Sequence, residues 1–325
     1  MFSLDASLGL FIRDRNGLKG GSIVEVTTVA IIGGGRVGAG IAVIVAKSGL
    51  KTILTEETTE SAAAALENIT HEMDAQIARW GMTASEKKLV LTNLDVGADI
   101  ERSRSAQVVI MAVPDNLELQ KQLFARLDAI CEPDTIFTTN ASVLSITELG
   151  TMLRHPENML GLHFLSPVLK TKLVEIVRGF KTSDETYTLG KSLVHSFGKK
   201  SIEVFETPGF VTTRLIIPLL NEAMYALMEG VASAEDIDTA MKLGYNMQAG
   251  PLELADRIGL DRVLVYMEHL FRESGDLKFR PCPLIKKYVR AQQVGVKNGK
   301  GFFEYNPETG KRKQPLFGNP AQPAE

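Results

Sequence analysis

The sequence is short of several features that define whole classes of protein. Among its 325 residues it has two cysteines, Cys131 and Cys282, neither in a CxxC pair. That excludes a disulfide scaffold and points to a reducing compartment, read here as the cytoplasm. No apolar run reaches the ~18 residues that a membrane-spanning helix needs. Neither sign of charge dominates: 36 basic residues stand against 39 acidic ones, with no long basic stripe, so a nucleic-acid partner has no electrostatic footing. Patterns that ligate metal, such as HxH, HExxH or a Cys/His cluster, are missing as well, and no internal repeat is visible.

What remains is an ordinary globular composition, 44% hydrophobic and 23% charged, long enough for about two domains. In the first half, short β-branched runs alternate with amphipathic stretches. Thr28–Gly33, Lys51–Leu54, Ala106–Val113 and Thr135–Thr138 read as buried strands; residues 36–48, Ser61–Trp80, Leu117–Ile130 and Ile146–Leu153 read as helices, with two further polar helical pieces between Thr83 and Arg104. Met159–His163, Lys172–Val177 and Ser201–Phe205 read as strands around a helix from Ser183 to Ser196. Such alternation predicts a parallel sheet with helices on both faces. From Phe210 to about Gln293 nearly everything has helical spacing, opening on Thr207-Pro208. The expected organisation is an N-terminal extension (1–24), an α/β Rossmann-like domain (25–206), an all-helical domain (207–306) and a flexible tail (307–325).

Gly33-Gly34-Gly35-Arg36-Val37-Gly38 fits GxGxxG between a predicted strand and a predicted helix, the context that gives the pattern its meaning. Gly33 permits the tight turn, Gly35 lets backbone approach a pyrophosphate, and Gly38 lets helix and strand pack closely. Arg36 and Val37 complete the loop. Glu56 ends the next strand, where a carboxylate accepts both ribose hydroxyls of an adenosine and repels a 2′-phosphate; NAD is the expected cofactor.

His163 closes an apolar run, and Glu175 lies 12 residues further inside the strand-like LVEIV. A carboxylate within a buried strand is costly unless paired. A histidine is a fitting partner, and the pair makes a general base.

These stretches carry a resemblance. VAIIGGGRVGAGIA, AVPDNLELQKQLFARLD, NASVLSITEL, GLHFLSPV, KLVEIVRG, TPGFVTTRLIIPLLNEA, EGVASAEDIDTAMKLG, GPLELADRIGLD and GVKNGKGFFEY, in this order from Thr28 to Tyr305, resemble the L-3-hydroxyacyl-CoA dehydrogenases of the 3-hydroxybutyryl-CoA type. The resemblance implies a Rossmann-like NAD domain, a helical C-terminal domain that forms a homodimer, an acyl-CoA substrate and a place in β-oxidation-like fatty-acid metabolism. It implies His163 as the base for the 3-hydroxyl proton, Glu175 as its partner, and Ser142 on the reacting oxygen; a helix cap is the other reading of Ser142. It places Asp115, Gln120 and Lys297 with the glycine loop in the cofactor set. Two rival readings use the same scaffold: a dehydrogenase of a free hydroxy acid (sugar acid or carnitine type) and a non-catalytic NAD-binding subunit. The insertion Thr58–Thr92, where the family covers CoA, has few basic residues: Arg79, Lys87 and Lys88.

The chain departs from the family at several positions. Ser166 stands for the asparagine of HFFNP, Thr213 for that of TPGFxxNR, Asn246–Pro251 for a Pro-Met-Gly-Pro turn, and Met111 for a glutamate. Ser166 and Thr213 fall among the expected substrate contacts. Threonine offers one donor where asparagine offers two, and has a shorter reach. Losing a positioned donor costs ~1–3 kcal/mol, or ~10- to 100-fold in rate or affinity. Thr213→Asn is therefore expected to raise kcat/KM on straight-chain 3-hydroxyacyl-CoA substrates by about that factor. Lower activity on every such substrate would clear Thr213 as the altered position.

Overall fold

Runs of four to six aliphatic and β-branched residues, too short for buried helices, build one extended sheet. In the computed structural model, which describes residues 10–12, 24–306 and 309–313, the strands are β1 (Leu10–Ile12), β2 (Val24–Val26), β3 (Thr28–Ile32), β4 (Lys51–Thr55), β5 (Leu94–Gly97), β6 (Val108–Met111), β7 (Ile136–Thr139), β8 (Met159–Phe164), β9 (Leu173–Arg178) and β10 (Lys200–Phe205). Between them lie α1 (Arg36–Lys47), α2 (Thr59–Ala78), α3 (Ala84–Asn93), α4 (Leu117–Ile130), α5 (Ile146–Gly150) and α6 (Asp184–Ser196). The main sheet has eight strands in the order β10-β9-β8-β7-β6-β3-β4-β5. Contacts divide the chain into two units between Phe210 and Val211.

Strand residues alternate between two cores. Val29, Ile31, Leu54, Ile110, Leu162 and Ile176 face α1, α2 and α6. Ala30, Ile32, Met111, Phe137, Met159 and Val177 face α4 and α5. Met111, where the family has glutamate, is simply part of that second core.

Two sequence expectations need correction. Between Thr83 and Arg104 the two expected helical pieces are present, as α3 and a 3-10 helix over Ile100–Ser105, but a strand, β5, lies between them on the sheet edge where none was expected. The half-exposed LDVG of β5 lacks the apolar signature of an interior strand. The sheet is also not wholly parallel: β9 runs antiparallel to β8 while every other neighbouring pair is parallel. The eight residues 165–172 joining β8 to β9 cannot make the crossover of a dozen or more that a parallel pair requires. Within the expected N-terminal extension, Leu10–Ile12 pairs antiparallel with Val24–Val26. The remainder of 1–23, and residues 307–308 and 314–325 of the expected tail, lie outside the described residues.

The second unit contains α7 (Thr212–Met228), α8 (Ala234–Tyr245), α9 (Pro251–Ile258), α10 (Leu260–Ser274) and α11 (Pro283–Arg290) around its own core. Asn246 ends α8 in the left-handed region, and Pro251 starts α9, so the altered turn keeps standard stop and start signals. Two buried aspartates fix this unit. Asp238 accepts from the amides of Leu252 and Glu253, capping α9 from outside. Asp256 accepts from the amides of Phe302 and Phe303 and from the Tyr305 hydroxyl, clasping the chain that follows Gly295.

Burial pushes the Asp256 carboxyl up to about 6 against the pull of its donors. A raised folded-state value means that the folded unit prefers the protonated acid. Stability is therefore lost as pH rises from the unfolded value through about 6. Asp256→Ala strands three buried donors and is expected to cost about 2–4 kcal/mol in urea unfolding. The cost should be larger at pH 5 than at pH 7.5, because the wild-type carboxylate is itself penalised at the higher pH; an equal cost at both would refute the assignment.

Candidate active site

Strand β3 has β4 on one side and β6 on the other, so the strand order reverses between β3 and β6. Crevices outside the carboxyl ends of strands at such a reversal bind ligands in open α/β sheets. The loop Gly33–Gly38 leaves β3 there and opens α1. Gly33 has φ +100°, and a Cβ on it would press on the Ala112 carbonyl oxygen at 3.0 Å. A Cβ on Gly38 would run into the carbonyl of Gly33, and one on Gly34 would meet Ala65 and the Glu56 carboxylate.

Gly35 is different. Its backbone is unstrained (φ −60°), and a Cβ there would meet nothing within 4 Å. Protein atoms do not require glycine at this position; a pyrophosphate lying against the exposed backbone would. Arg36 is exposed at the first turn of α1, Val37 is half-buried, and the Gly34 amide donates to Glu56 Oε1. The loop and Glu56 thus fit a dinucleotide.

Across the sheet, β8 and β9 pair His163 directly with Glu175. The antiparallel register turns a separation of 12 residues into a contact: His163 Nδ1 lies 2.6 Å from Glu175 Oε2. The histidine is 4% exposed and the glutamate 0%. An ionised carboxylate can only accept, so this contact suits the tautomer with the proton on Nδ1, which leaves Nε2 as the acceptor. Phe210, in the left-handed region after Gly209, sets its ring 5.6 Å from the imidazole, edge to face.

The loops after β6 and β7 are tied to one another beside this pair. Asp115 Oδ2 accepts from the Ser142 amide at 3.0 Å. Gln120 Oε1 accepts from the Thr139 hydroxyl, its amide nitrogen donates to the Pro114 carbonyl, and the Thr139 hydroxyl in turn accepts from the Ala141 amide. Gln120, expected among the cofactor contacts, is fully buried with both ends of its amide engaged in holding these loops. Asn140 Oδ1 accepts from the Phe164 amide, next to His163. Ser145, not Ser142, caps α5. Asn140, Thr139 and Phe210 were missed as site residues; the only signal for Asn140 was a short polar residue directly after a strand.

Ser166 is exposed in the loop after β8. Thr213 and Lys297 belong to the second unit: Thr213 is buried in the first turn of α7, and Lys297 pairs with Asp261. In the α2–α3 insertion, Lys87 is held by Asp74 at 2.6 Å, while Arg79 and Lys88 are exposed.

A dinucleotide-type glycine loop and a buried His–Glu pair on one sheet fit a nicotinamide-dependent oxidoreductase. The models of the two domains of one family cover this chain: "3-hydroxyacyl-CoA dehydrogenase, NAD binding domain" matches residues 28–207 and "3-hydroxyacyl-CoA dehydrogenase, C-terminal domain" matches 209–305. The chain belongs to the 3-hydroxyacyl-CoA dehydrogenase family and is an NAD-dependent dehydrogenase of CoA thioesters. It is 40% identical over 286 residues to a probable 3-hydroxybutyryl-CoA dehydrogenase of Bacillus subtilis (strain 168), covering 88% of this chain and 100% of that protein. It is 35% identical to the 3-hydroxyadipyl-CoA dehydrogenase of Escherichia coli (strain K12), covering 88% of this chain and 60% of that one. The crystal structure of (S)-3-hydroxybutyryl-CoA dehydrogenase from Ralstonia eutropha superposes with a TM-score of 0.81 at 35% identity, covering 87% of this chain and 100% of that one. These matches favour the CoA-thioester enzyme over the free-acid dehydrogenase and the non-catalytic subunit.

Gly35→Ala is expected to leave stability within about 0.5 kcal/mol while weakening NADH binding at least about tenfold. Gly38→Ala should instead lower the melting temperature, because its Cβ collides with backbone. Equal stability losses in both variants would remove the argument for a ligand over Gly35.

Proposed function

We propose that His163 is the general base for the 3-hydroxyl proton of an L-3-hydroxyacyl-CoA, with Glu175 as its orienting partner. The buried 2.6 Å contact between them carries this reading. NAD, when bound, accepts the hydride from C3. His163 takes the hydroxyl proton on Nε2 as the carbonyl forms. Glu175 keeps the ring in the tautomer that leaves Nε2 basic and stabilises the imidazolium once the proton has arrived. Ser142, whose amide Asp115 holds, hydrogen-bonds the reacting oxygen. In the reverse direction the imidazolium returns the proton to the 3-keto oxygen.

The cofactor set consists of Gly33, Gly35, Gly38, Arg36 and Val37 at the pyrophosphate, Glu56 at the adenosine ribose, Asp115 at the nicotinamide ribose, and Gln120 and Lys297. Gln120 acts through the loops that it ties. Ser166 and Thr213 serve the acyl end and select a chain that is branched, cyclic or dicarboxylic rather than short and straight.

The enzyme works as a homodimer in the cytoplasm. Supporting the dimer, the helices of the second unit expose Leu215, Leu243 and Tyr245 at 70%, 84% and 77%. Apolar surface of this kind marks association sites. Among the described residues no helix is long and apolar enough to cross a membrane.

The test is initial-rate NAD reduction with hydroxyacyl-CoA thioesters, each beside its free acid. A thioester is expected to react and its free acid not. His163→Ala should lower kcat about 10²- to 10⁴-fold. Glu175→Gln should cost about 10- to 100-fold, since a charge-assisted buried bond becomes a neutral one. Full activity in His163→Ala, or turnover of free acids alone, would overturn the proposal.

A further inference from the structure

Lys199 has no role in the chemistry described so far, yet it is a lysine with only 8% of its surface exposed. It follows α6 and directly precedes β10. Lysine is almost never buried this far without a carboxylate, and Lys199 makes no ion pair among the described residues. Its ammonium instead donates to two main-chain carbonyls, Val168 at 2.7 Å and Thr171 at 2.5 Å. Burial pulls the ammonium below the usual lysine range.

Both carbonyls lie in the loop 165–172. That loop is the hairpin connection between β8 and β9, the strands that carry His163 and Glu175. Its backbone turns on the Pro167 carbonyl, which accepts from the amides of Lys170 and Thr171. The Lys200 amide, next to Lys199, donates to the Lys172 carbonyl at 2.7 Å and so closes the far end of the loop.

The loop also reaches the cofactor side. Val168 is buried, and a Cβ on Gly40 would lie 2.8 Å from the Val168 Cβ, so the valine packs directly on the backbone of α1. Gly40 is two residues past Gly38, in the helix whose first turn follows the glycine loop. Lys199 therefore fixes a segment that touches the proton-transfer strands at its ends and the dinucleotide helix at its middle.

We propose that Lys199 is a positioning residue for hydride transfer, setting the distance between the dinucleotide helix and the His163–Glu175 pair through Val168. The proposal rests on the dehydrogenase reading above only for its kinetic readout. NADH binding, followed by nicotinamide fluorescence, reads it independently.

The variants are Lys199→Met, which removes the donor, and Lys199→Gln, which keeps an N–H but no charge. Lys199→Met is expected to raise the NADH Kd about tenfold and to lower kcat about tenfold with the 3-ketoacyl-CoA that the wild type reduces fastest, leaving the KM for that thioester within about twofold. Lys199→Gln should fall between it and the wild type. Gly40→Ala, which displaces Val168 from the other side, should raise the NADH Kd in the same way. The double variant should be no worse than the weaker-binding single by more than about twofold, because both act through one contact.

An NADH Kd and a kcat both within about twofold of wild type in Lys199→Met would overturn the proposal. So would a loss that tracks only the unfolded fraction by circular dichroism, or losses that add in the double variant. If Lys199→Met does not fold, Lys199→Gln and Gly40→Ala decide by the same criteria. A wild-type protein that binds NADH but reduces no 3-ketoacyl-CoA thioester, straight, branched, cyclic or dicarboxylic, would count against the functional reading, and the NADH Kd values would still decide the role of Lys199.

Discussion

Glu175 is a carboxylate with no exposed surface in the middle of a β-strand, and much of the surrounding architecture follows from giving it a partner. An unpaired charge there would cost several kcal/mol. Pairing with His163 depends on one register, His163 opposite Glu175, and on one strand direction. A slip of a single residue would turn the carboxylate toward the opposite core and the histidine away from it. The short connection between β8 and β9 imposes the direction, and the apolar neighbours Leu162, Phe164, Val174 and Ile176, packed against the helices of one face, impose the register.

The glycine loop and the His163–Glu175 pair stand on different strands, with β6 and β7 between β3 and β8. Hydride transfer tolerates little error in the spacing of reacting atoms. The sheet supplies a rigid base for that spacing, but side chains refine it. Gln120 and Asp115 tie the loop after β6 to the loop after β7, and Asn140 ties the latter to the strand of His163. These residues complete a row of polar links along the carboxyl ends of the strands, each drawn from a buried or half-buried position where the bond is worth most.

The second unit solves a different problem with the same device. Asp238 and Asp256 are both buried carboxylates whose acceptors are filled by main-chain amides. One fixes the start of α9, and the other folds the chain after Gly295 back onto that helix. A Cβ on Gly295, Gly301 or Gly250 would collide with one or the other aspartate or its backbone, which explains the first and last glycines of GVKNGKG and that of the turn before α9.

The alternation of strand and helix, the glycine loop with Glu56 after the next strand, and the anomaly of an acid inside LVEIV were all legible in the sequence. Each is a local pattern, set by periodicity, by backbone permissiveness or by the cost of burying charge. The antiparallel turn at β9 was not read, nor was β5, because the identity of a strand's neighbour is written nowhere in its own residues and a half-exposed edge strand loses the apolar run that marks interior ones. Gln120 could be listed from sequence as a cofactor contact, but only the fold shows its amide spent between two loops. Nothing local to Lys199 marks it for burial; only the fold closes over it. Sequence by itself determined which residue types stand where and so which side chains to propose for the chemistry; tertiary structure decided which of them meet, since distance across a sheet depends on direction and register rather than on spacing along the chain.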